Sequence, residues 1–189
     1  MPKKKTYQPG PRYSRKDKLF AILAIAVTAI IVIGAAAYRF LTPDETIEPA
    51  RVGEPMADLE LQDINGNPVR LSTFAGRPLL INIWATWCAP CKQEMPLLQR
   101  YYDAHKGDGF ILAAVNAGET AKEVQPFIQE NGFTFPTLLD PEEKSLAGLR
   151  INNYPTSIFV SPSGIVQKIH IGAFTQTSLE KEITPLLGQ

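Results

Sequence analysis

The sequence predicts an α/β fold, in which helices flank a mixed β-sheet, preceded by one apolar helix. Three observations predict this arrangement. The run from Leu19 to Ala37 is apolar or small-residue throughout except for Thr28. The later part of the chain alternates apolar runs of strand length with stretches of helical periodicity. The length of 189 residues suits one ordinary domain plus a further segment, and the sequence shows no internal repeat.

The N-terminal apolar run has the length of a membrane-spanning helix. About 20 apolar residues cross the hydrocarbon core of a bilayer, and the run continues beyond Ala37 as far as Leu41. Basic residues precede the run, and the positive-inside bias keeps such a flank in the cytoplasm. We therefore predict a basic cytoplasmic tail at 1–18, a transmembrane signal-anchor helix at 19–41, a linker at 42–54 and an exported domain at 55–189.

Two alternatives for this run stay open at this point. A cleaved signal peptide would use the Ala35-Ala36-Ala37 segment as its cleavage site, although an apolar region of about 7 to 15 residues is usual there. A buried core helix is disfavoured because the run has no amphipathic period. The exported domain would face either a periplasm or the outer side of a single-membrane cell.

Charge is distributed unevenly between the two parts of the chain. The first 18 residues hold seven Lys or Arg and one Asp, whereas the chain from Thr42 onward holds 11 Lys or Arg and 18 Asp or Glu. The C-terminal domain is therefore acidic. An acidic surface repels the phosphates of nucleic acids, so the composition argues against nucleic-acid binding by this domain.

The first predicted elements of the domain are a hairpin and a central strand. The runs Met56–Leu61 and Val69–Leu71 flank an Asn65-Gly66 step, which is typical of a tight turn between two strands. The continuous apolar run Pro78–Trp84 predicts a strand that is buried on both faces. This strand leads directly into Cys88, at the sheet edge where α/β folds place their chemistry.

The later elements alternate between helix and strand. A helix is predicted from Pro90, with a kink at Pro96. The elements after it are a strand at 110–115, a helix at 120–131 that ends at Gly132, an extended segment at 133–139, a short helix at 142–149, a hairpin of strands 157–160 and 166–171, and a terminal helix at 175–187.

The Cys88-Ala89-Pro90-Cys91 segment holds the only two cysteines of the chain. Two intervening residues allow the thiols to close a small ring that opens and closes reversibly. At a helix N-terminus the unpaired N–H groups and the helix dipole stabilise the thiolate of the first cysteine. The spacing therefore predicts a redox pair, with Cys88 as the attacking thiol and Cys91 as the resolving thiol.

Other uses of the cysteine pair fit the sequence less well. A zinc site would need two more ligands, and His105 and His170 are too far apart in sequence for a zinc-finger pattern. A structural disulfide is disfavoured because so short a loop constrains the unfolded chain little. A peroxidase would carry the pattern P-x-x-x-T-x-x-C, and Thr86 stands at the wrong offset with no matching proline. Redox exchange needs neither a metal nor an organic cofactor, because the two sulfurs carry both electrons.

The segment from Leu79 to Cys91, LLINIWATWCAPC, resembles the active-site signature of TlpA/ResA-type thioredoxin-like proteins. The segments Leu61–Gly66 and Leu71-Ser72 resemble the N-terminal hairpin of that family, which thioredoxin itself lacks. The resemblance covers the chain from about Val52 to Leu187. It implies a thioredoxin-like fold with an N-terminal β-hairpin extension and a single membrane anchor.

The resemblance also assigns roles to residues around the cysteines. Tyr154, Pro155 and Thr156 are similar to the cis-proline loop of the family, which faces the cysteines and receives the substrate backbone. Trp87 is expected to shield the site, whereas Trp84 is expected to lie in the core. The predicted substrate-binding residues are therefore Trp87, Tyr154, Pro155 and Thr156.

Glu94 is the candidate acid/base residue near the cysteines, and the identity of residue 82 supports this choice. In ResA-type proteins a Glu at the position of Glu94 lies close to the cysteine pair and tunes its titration, and a solvated surface Glu is the alternative. Asn82 stands where thioredoxin has a buried Asp, so that proton acceptor is missing here. This departure makes Glu94 the better acid/base candidate.

The function implied by the resemblance is reduction of disulfides outside the cytoplasm. Electrons would arrive from a membrane thiol donor and pass to disulfide-containing envelope proteins, notably apocytochrome c or a metal-site assembly factor. A disulfide-forming oxidant is the first alternative, because the Ala89-Pro90 dipeptide does not reveal the direction of transfer. A non-enzymatic scaffold with an inert disulfide is the other.

Overall fold

The computed structural model describes residues 14–41 and 47–187. The chain divides into two units, Met1–Glu45 and Thr46–Gln189. The predicted tail up to residue 13 and the part of the predicted linker at 42–46 lie outside the described residues.

Within the first unit, the described residues 14–41 contain the helix α1 (Arg15–Leu41). It begins before the predicted span because the Ser14 amide donates to Asp17 Oδ2 over 2.8 Å and caps the first turn. The segment Arg15–Tyr38 is long and apolar enough to cross a bilayer, and its side chains are not buried by the protein. The helix therefore has the length and composition of a single-pass membrane anchor.

The second unit is built on one mixed sheet. Its strands are β1 (Glu60–Asp63), β2 (Pro68–Arg70), β3 (Leu79–Trp84), β4 (Ile111–Ala117), β5 (Thr137–Asp140), β6 (Thr156–Val160) and β7 (Val166–Ile171). They lie in the order β2-β1-β5-β4-β3-β6-β7. Strand β3 pairs parallel with β4 and antiparallel with β6, so the prediction of a central strand is confirmed.

Among residues 47–187, four α-helices accompany this sheet: α2 (Ala89–His105), α3 (Ala121–Asn131), α4 (Lys144–Gly148) and α5 (Gln176–Glu182). Thr120 and Glu123 form a capping box at the start of α3, and Gly132 ends it with a φ of 67°, as predicted. Helix α2 continues through Pro96.

The predicted terminal helix at 175–187 is too long. Helix α5 ends at Glu182, and Thr184–Leu186 forms a short 3-10 helix. Pro185 lies in this 3-10 helix, and its missing backbone N–H and its ring disfavour continuation of the α-helix there.

Strand β3 separates two apolar layers because its side chains alternate between the faces of the sheet. Leu80 and Trp84 belong to the layer that includes Cys88 and Cys91. The odd-numbered residues of β3 belong to the opposite layer, on the other face. All six residues of the strand are buried, as the continuous apolar run predicts. The disulfide pair is therefore part of the apolar layer on one face of the sheet.

The N-terminal hairpin extends the sheet at one edge. Strand β1 pairs antiparallel with both β2 and β5. Asp63 Oδ1 accepts hydrogen bonds from the amides of Asn65 and Asn67, and Gly66 adopts a φ of 85°, which the tight turn requires. The predicted hairpin is confirmed, although its first strand begins at Glu60 and not at Met56.

Residues 47–54, which belong to the predicted linker, contact the domain. Ile47 and Ala50 pack against the apolar layer on the face opposite the disulfide. The Gly53 amide donates to the Val166 carbonyl over 2.8 Å, and the Val166 amide donates to the Glu54 carbonyl. This segment therefore covers the start of the edge strand β7.

Candidate active site

The two cysteines lie where the central strand gives way to helix α2. Cys88 is the N-cap residue of α2, and its Sγ accepts a hydrogen bond from the Cys91 amide over 3.3 Å. The two residues are joined by a disulfide, with their Cα atoms 5.3 Å apart. Cys91 has no exposed surface and Cys88 retains 5% of its own, so Cys88 is the more accessible of the two residues.

The helix N-terminus defines the electrostatics at Cys88. Pro90 occupies the first turn of α2, where its missing N–H costs no hydrogen bond. The Cys91 amide in that turn donates to Cys88 Sγ, and the positive end of the helix dipole favours negative charge there. After reduction this arrangement stabilises a thiolate on Cys88, which is the nucleophilic form of the thiol.

The predicted cis-proline loop lies at the start of β6. The Tyr154–Pro155 peptide bond is cis, as the resemblance implies. The Pro155 carbonyl accepts a hydrogen bond from the Gly172 amide over 2.8 Å. Thr156 is buried, and its hydroxyl donates to the Asn153 carbonyl over 2.7 Å. The Thr156 side chain therefore stabilises the loop from within.

Trp87 and Tyr154 form an aromatic pair beside the disulfide. Their ring centroids are 5.7 Å apart with an edge-to-face geometry. Trp87 is 64% exposed, so its ring belongs to the outer surface next to Cys88. By contrast, Trp84 is fully buried and packs against Phe127, as predicted for a core residue.

Glu94 lies inside the protein, three residues after Cys91 on α2. Only 2% of it is exposed, so the alternative of a solvated surface residue is wrong. Its Oε1 accepts a hydrogen bond from Asn82 Nδ2 over 2.8 Å, and its Oε2 accepts one from the Phe174 amide over 2.7 Å. Burial raises the pKa of Glu94 to about 7, although both hydrogen bonds act to lower it.

Asn82 connects Glu94 to the strand that follows the cis-proline loop. It is fully buried on β3, and its Nδ2 also donates to Ser157 Oγ on β6 over 3.0 Å. Its Oδ1 has no hydrogen-bond partner among the residues that the structure describes. The orientation of the Asn82 amide is therefore determined by the two hydrogen bonds that its nitrogen donates.

A second buried carboxylate, Glu119, holds the loop between β3 and α2. It accepts hydrogen bonds from the Thr86 amide and from Asn116 Nδ2, each over 2.7 Å, and a further one from the Thr86 hydroxyl. Glu119 was not among the site residues predicted from the sequence. It follows the carboxyl end of the parallel strand β4, and this position is the signal that predicts proximity to the site.

Ser157 and Phe174 were also missed. Ser157 lies in a predicted strand, and nothing in the local sequence marks its hydroxyl as a partner of Asn82. Phe174 contributes a backbone amide, which any residue except proline carries. These two contacts join residues 75 and 80 positions apart, so only the tertiary structure reveals them.

The two histidines lie in packed environments. His105 contacts the rings of Tyr101 and Phe110. The His170 ring stacks on Phe174, and its Nδ1 lies 3.1 Å from Glu182 Oε2. Over residues 14–41 and 47–187, no three His, Cys, Asp or Glu side chains form a group that could hold a metal ion.

Residues 52–169 match the AhpC/TSA family. The thiol-disulfide oxidoreductase ResA of Geobacillus kaustophilus is 30% identical to the chain over 169 residues, which cover 89% of the chain and 96% of that relative.

The chain is also similar in structure to proteins whose structures have been solved. A protein of Chlorobium tepidum described as a thiol:disulfide interchange protein DsbE superimposes with a TM-score of 0.69 at 27% identity, over 74% of this chain and 99% of that one. StoA of Bacillus subtilis superimposes with a TM-score of 0.57 at 31% identity, over 68% and 97%. These likenesses confirm the predicted thioredoxin-like fold.

Proposed function

From the premise that the chain belongs to the AhpC/TSA family and to the ResA thiol-disulfide oxidoreductases, we propose that it reduces disulfides in proteins outside the cytoplasm. Apocytochrome c, during cytochrome c maturation, is the leading substrate. The observation that carries this proposal is the Cys88–Cys91 disulfide at the N-terminus of α2. A thiol-disulfide oxidoreductase acts on disulfide-containing substrates, and this pair is the part of the chain that exchanges.

The reaction proceeds in two exchanges. In the reduced protein the Cys88 thiolate attacks one sulfur of a substrate disulfide, so that a mixed disulfide forms and the other substrate sulfur leaves as a thiolate. Cys91 then attacks the Cys88 sulfur, which closes the internal disulfide and releases the second substrate thiolate. Two electrons thereby pass from the pair to the substrate, and each substrate sulfur takes up a proton. A membrane thiol donor returns the pair to the reduced state.

Glu94 is the acid/base group of the second exchange. Cys91 must lose its proton before it attacks, and Glu94 lies one helical turn away on the same side of α2. A pKa of about 7 leaves both forms of the carboxyl populated near neutral pH. The ionised form accepts the Cys91 proton, and the neutral form returns it when the pair is reduced again.

Four residues form the substrate contact in this proposal. Trp87 and Tyr154 offer adjacent aromatic surface beside Cys88. Pro155 immediately precedes β6 and Thr156 begins it, and the backbone of this loop receives an extended substrate. Because Trp87 is largely exposed, it contributes binding area without a large role in folding.

The proposed location follows from α1 and the charge on either side of it. Residues 19–41 act as a single-pass anchor, the basic tail stays in the cytoplasm, and the domain faces the opposite side. Protease added to intact spheroplasts tests this orientation. The proposal requires cleavage of the domain and protection of an epitope placed at the N-terminus, whereas protection of the domain contradicts it.

A peroxidatic role for Cys88 finds no support in the local geometry. The Thr86 hydroxyl already donates its hydrogen bond to Glu119. The proline of the peroxidase pattern is missing as well, since Ile81 stands at its position.

The reduction potential of the Cys88/Cys91 pair tests the direction of transfer. The full-length chain in detergent micelles would be equilibrated against dithiothreitol and glutathione buffers. A potential near or below that of thioredoxin, about −270 mV, supports a reductase. A potential near that of the oxidant DsbA, about −120 mV, would show instead that the protein forms disulfides.

Paired cysteine variants test the assigned order of attack. Cys91→Ser should accumulate a mixed disulfide with substrate, because Cys88 attacks and nothing resolves the product. Cys88→Ser should trap none. Trapping by Cys88→Ser and not by Cys91→Ser would reverse the two roles.

A further inference from the structure

Asn82 lies at the meeting point of three elements beneath the disulfide. Its single amide nitrogen donates to Glu94 Oε1 on α2 and to Ser157 Oγ on β6, over 2.8 and 3.0 Å. Asn82 itself belongs to β3 and is fully buried. The strand that carries Ser157 begins at the cis-proline loop. One side chain thus connects the proton-accepting carboxyl with the strand that follows the substrate-binding loop.

The orientation of this amide is fixed by the chemistry of its partners. An ionised carboxylate accepts hydrogen bonds and cannot donate them, so the nitrogen of Asn82 must face Glu94. The consequence is that Asn82 Oδ1 is buried with no partner among the described residues. A buried acceptor without a partner is unfavourable. The amide keeps this orientation because its nitrogen makes two hydrogen bonds.

The groups that face Glu94 come from every element packed against it. Asn82 Nδ2 approaches from β3, and the Phe174 amide approaches from the loop before α5. Cys91 precedes it by one turn on α2. Behind Phe174, the stacked His170 ring pairs with Glu182, which also binds Lys168 at 3.0 Å. The two groups that donate directly to the carboxylate of Glu94 are both neutral N–H groups.

We propose that Asn82 is the positioning residue that holds the Glu94 carboxylate in place and sets the pH at which it takes the proton of the Cys91 thiol. This inference rests on the proposed acid/base role of Glu94. In the step concerned, the Cys91 S–H bond breaks, its proton moves to a Glu94 oxygen, and a Cys91 thiolate forms. Each oxygen of Glu94 accepts one bond from the fold and keeps a lone pair for that proton.

The neutral amide explains why an asparagine suits this position. A hydrogen bond from an N–H group favours the ionised carboxylate and opposes the effect of burial. An aspartate at the same place would put a second carboxylate against Glu94, and the two would share a proton. Asn82 therefore keeps the titration of Glu94 close to neutral pH.

The test is a titration of Glu94 in the oxidised full-length chain. The protein would be labelled with ¹³C-glutamate, placed in detergent micelles and followed by NMR of the side-chain carboxyl signals, assigned with Glu94→Gln. Asn82→Ala removes a donor to the charged form, so the pKa of Glu94 should rise by about one pH unit. Ser157→Ala removes the hydrogen bond between Asn82 and Ser157 but leaves the one between Asn82 and Glu94. A smaller rise in the pKa of Glu94 is therefore expected.

Asn116→Ala is the matched control. It removes an equivalent buried amide from the neighbouring strand β4, where the partner is Glu119, and it should leave the titration of Glu94 unchanged. Should Asn82→Ala fail to fold, Asn82→Asp preserves the shape of the side chain and should also raise the pKa of Glu94. A Glu94 titration that is the same in wild type, Asn82→Asp and Ser157→Ala would overturn the proposal.

A second readout separates positioning from structural damage. The pH profile of disulfide exchange should move in Asn82→Ala, yet the same substitution should leave the profile unmoved when Glu94→Gln is already present. An equal movement in both backgrounds would show that Asn82 acts independently of Glu94. The carboxyl titration is measured without substrate. It therefore tests the effect of Asn82 on the pKa of Glu94 separately from the direction of the proposed reaction.

Discussion

Two buried carboxylates near the cysteine-bearing loop, Glu94 and Glu119, are held differently. Glu94 accepts one hydrogen bond at each oxygen, from Asn82 and from the Phe174 amide. Glu119 accepts three, two of them from Thr86 in the loop that carries the cysteines. In each case one of these donors is a buried asparagine, Asn82 or Asn116, whose Oδ1 has no partner among the described residues.

The difference shows how the same side chain serves two purposes. Glu94 has few donors in an apolar environment, so burial dominates and its pKa rises to about 7. A group in this state can exchange protons at neutral pH. Glu119 instead ties the Thr86 backbone to β4, which fixes the loop ahead of Cys88. We interpret Glu94 as the group that moves protons and Glu119 as the group that maintains geometry.

Replacement of Glu94 should have the largest effect on the reaction. Glu94→Gln keeps the shape of the side chain but removes proton exchange, and loss of an acid/base group lowers rates by about 100-fold or more. Steady-state reduction of a protein disulfide at pH 7 measures this. Glu130→Gln, at an exposed position of α3, is the control and should retain full activity. Full activity in Glu94→Gln would show that Glu94 does not exchange protons in the reaction, and the proposed difference in role between Glu94 and Glu119 would be wrong.

The raised pKa of Glu94 also predicts a pH-dependent stability. Because the folded pKa of about 7 lies above the ordinary 4.5, the stabilising contribution is complete below pH 4.5 and is lost as pH rises through 7. The loss amounts to about 3 kcal/mol. Urea unfolding of the oxidised chain at pH 4.5 and pH 8, followed by tryptophan fluorescence, should show this loss in wild type.

Glu94→Gln provides the comparison for that measurement. The variant has no carboxyl to ionise at this position, so its stability should fall by about 3 kcal/mol less than that of wild type over the same pH range. Equal pH dependence in the two proteins would mean that Glu94 is not the titrating group.

Glu119→Ala should act on stability and not on proton exchange. The Thr86 amide and Asn116 Nδ2 both lose their acceptor, and each buried donor left unpaired costs about 1 kcal/mol or more. We expect a loss of about 2 kcal/mol in the free energy of unfolding. The pH midpoint of exchange should stay at its wild-type value. A moved midpoint with unchanged stability would assign the proton-exchanging role to Glu119.

Trp87→Ala should have the smallest effect on the protein itself. The residue is 64% exposed, so the free energy of unfolding should change by about 0.5 kcal/mol or less. Loss of aromatic contact area should raise KM for a protein disulfide several-fold while kcat changes little. A large loss of stability would place Trp87 in the core with Trp84.

The sequence predicted the elements that local patterns define. The apolar run of β3, the capping signals of α3 and the turn at Asn65-Gly66 each arise from neighbouring residues, and the structure confirms all three. The cis bond before Pro155 was predicted from the family resemblance, since the residue type alone gives no such preference.

The carboxylate contacts depend on tertiary structure and were only partly predicted. The family resemblance identified Glu94, but its contacts with Asn82 and the Phe174 amide join residues 12 and 80 positions apart. Glu119 stands next to a helix cap, where an acidic residue is ordinary. Its burial follows from the way the loop around Thr86 folds over β4, and no local pattern encodes that.

Release of the two thiolates from a chromogenic aromatic disulfide tests the central claim most directly. With reduced full-length protein, the first thiolate reports attack by Cys88 and the second reports attack by Cys91. We predict that the second step accelerates as pH rises through about 7, where Glu94 ionises. In Glu94→Gln the midpoint should move toward the ordinary thiol value of about 8.5. A second step with the same midpoint in both proteins would contradict the assignment of Glu94 as the proton acceptor.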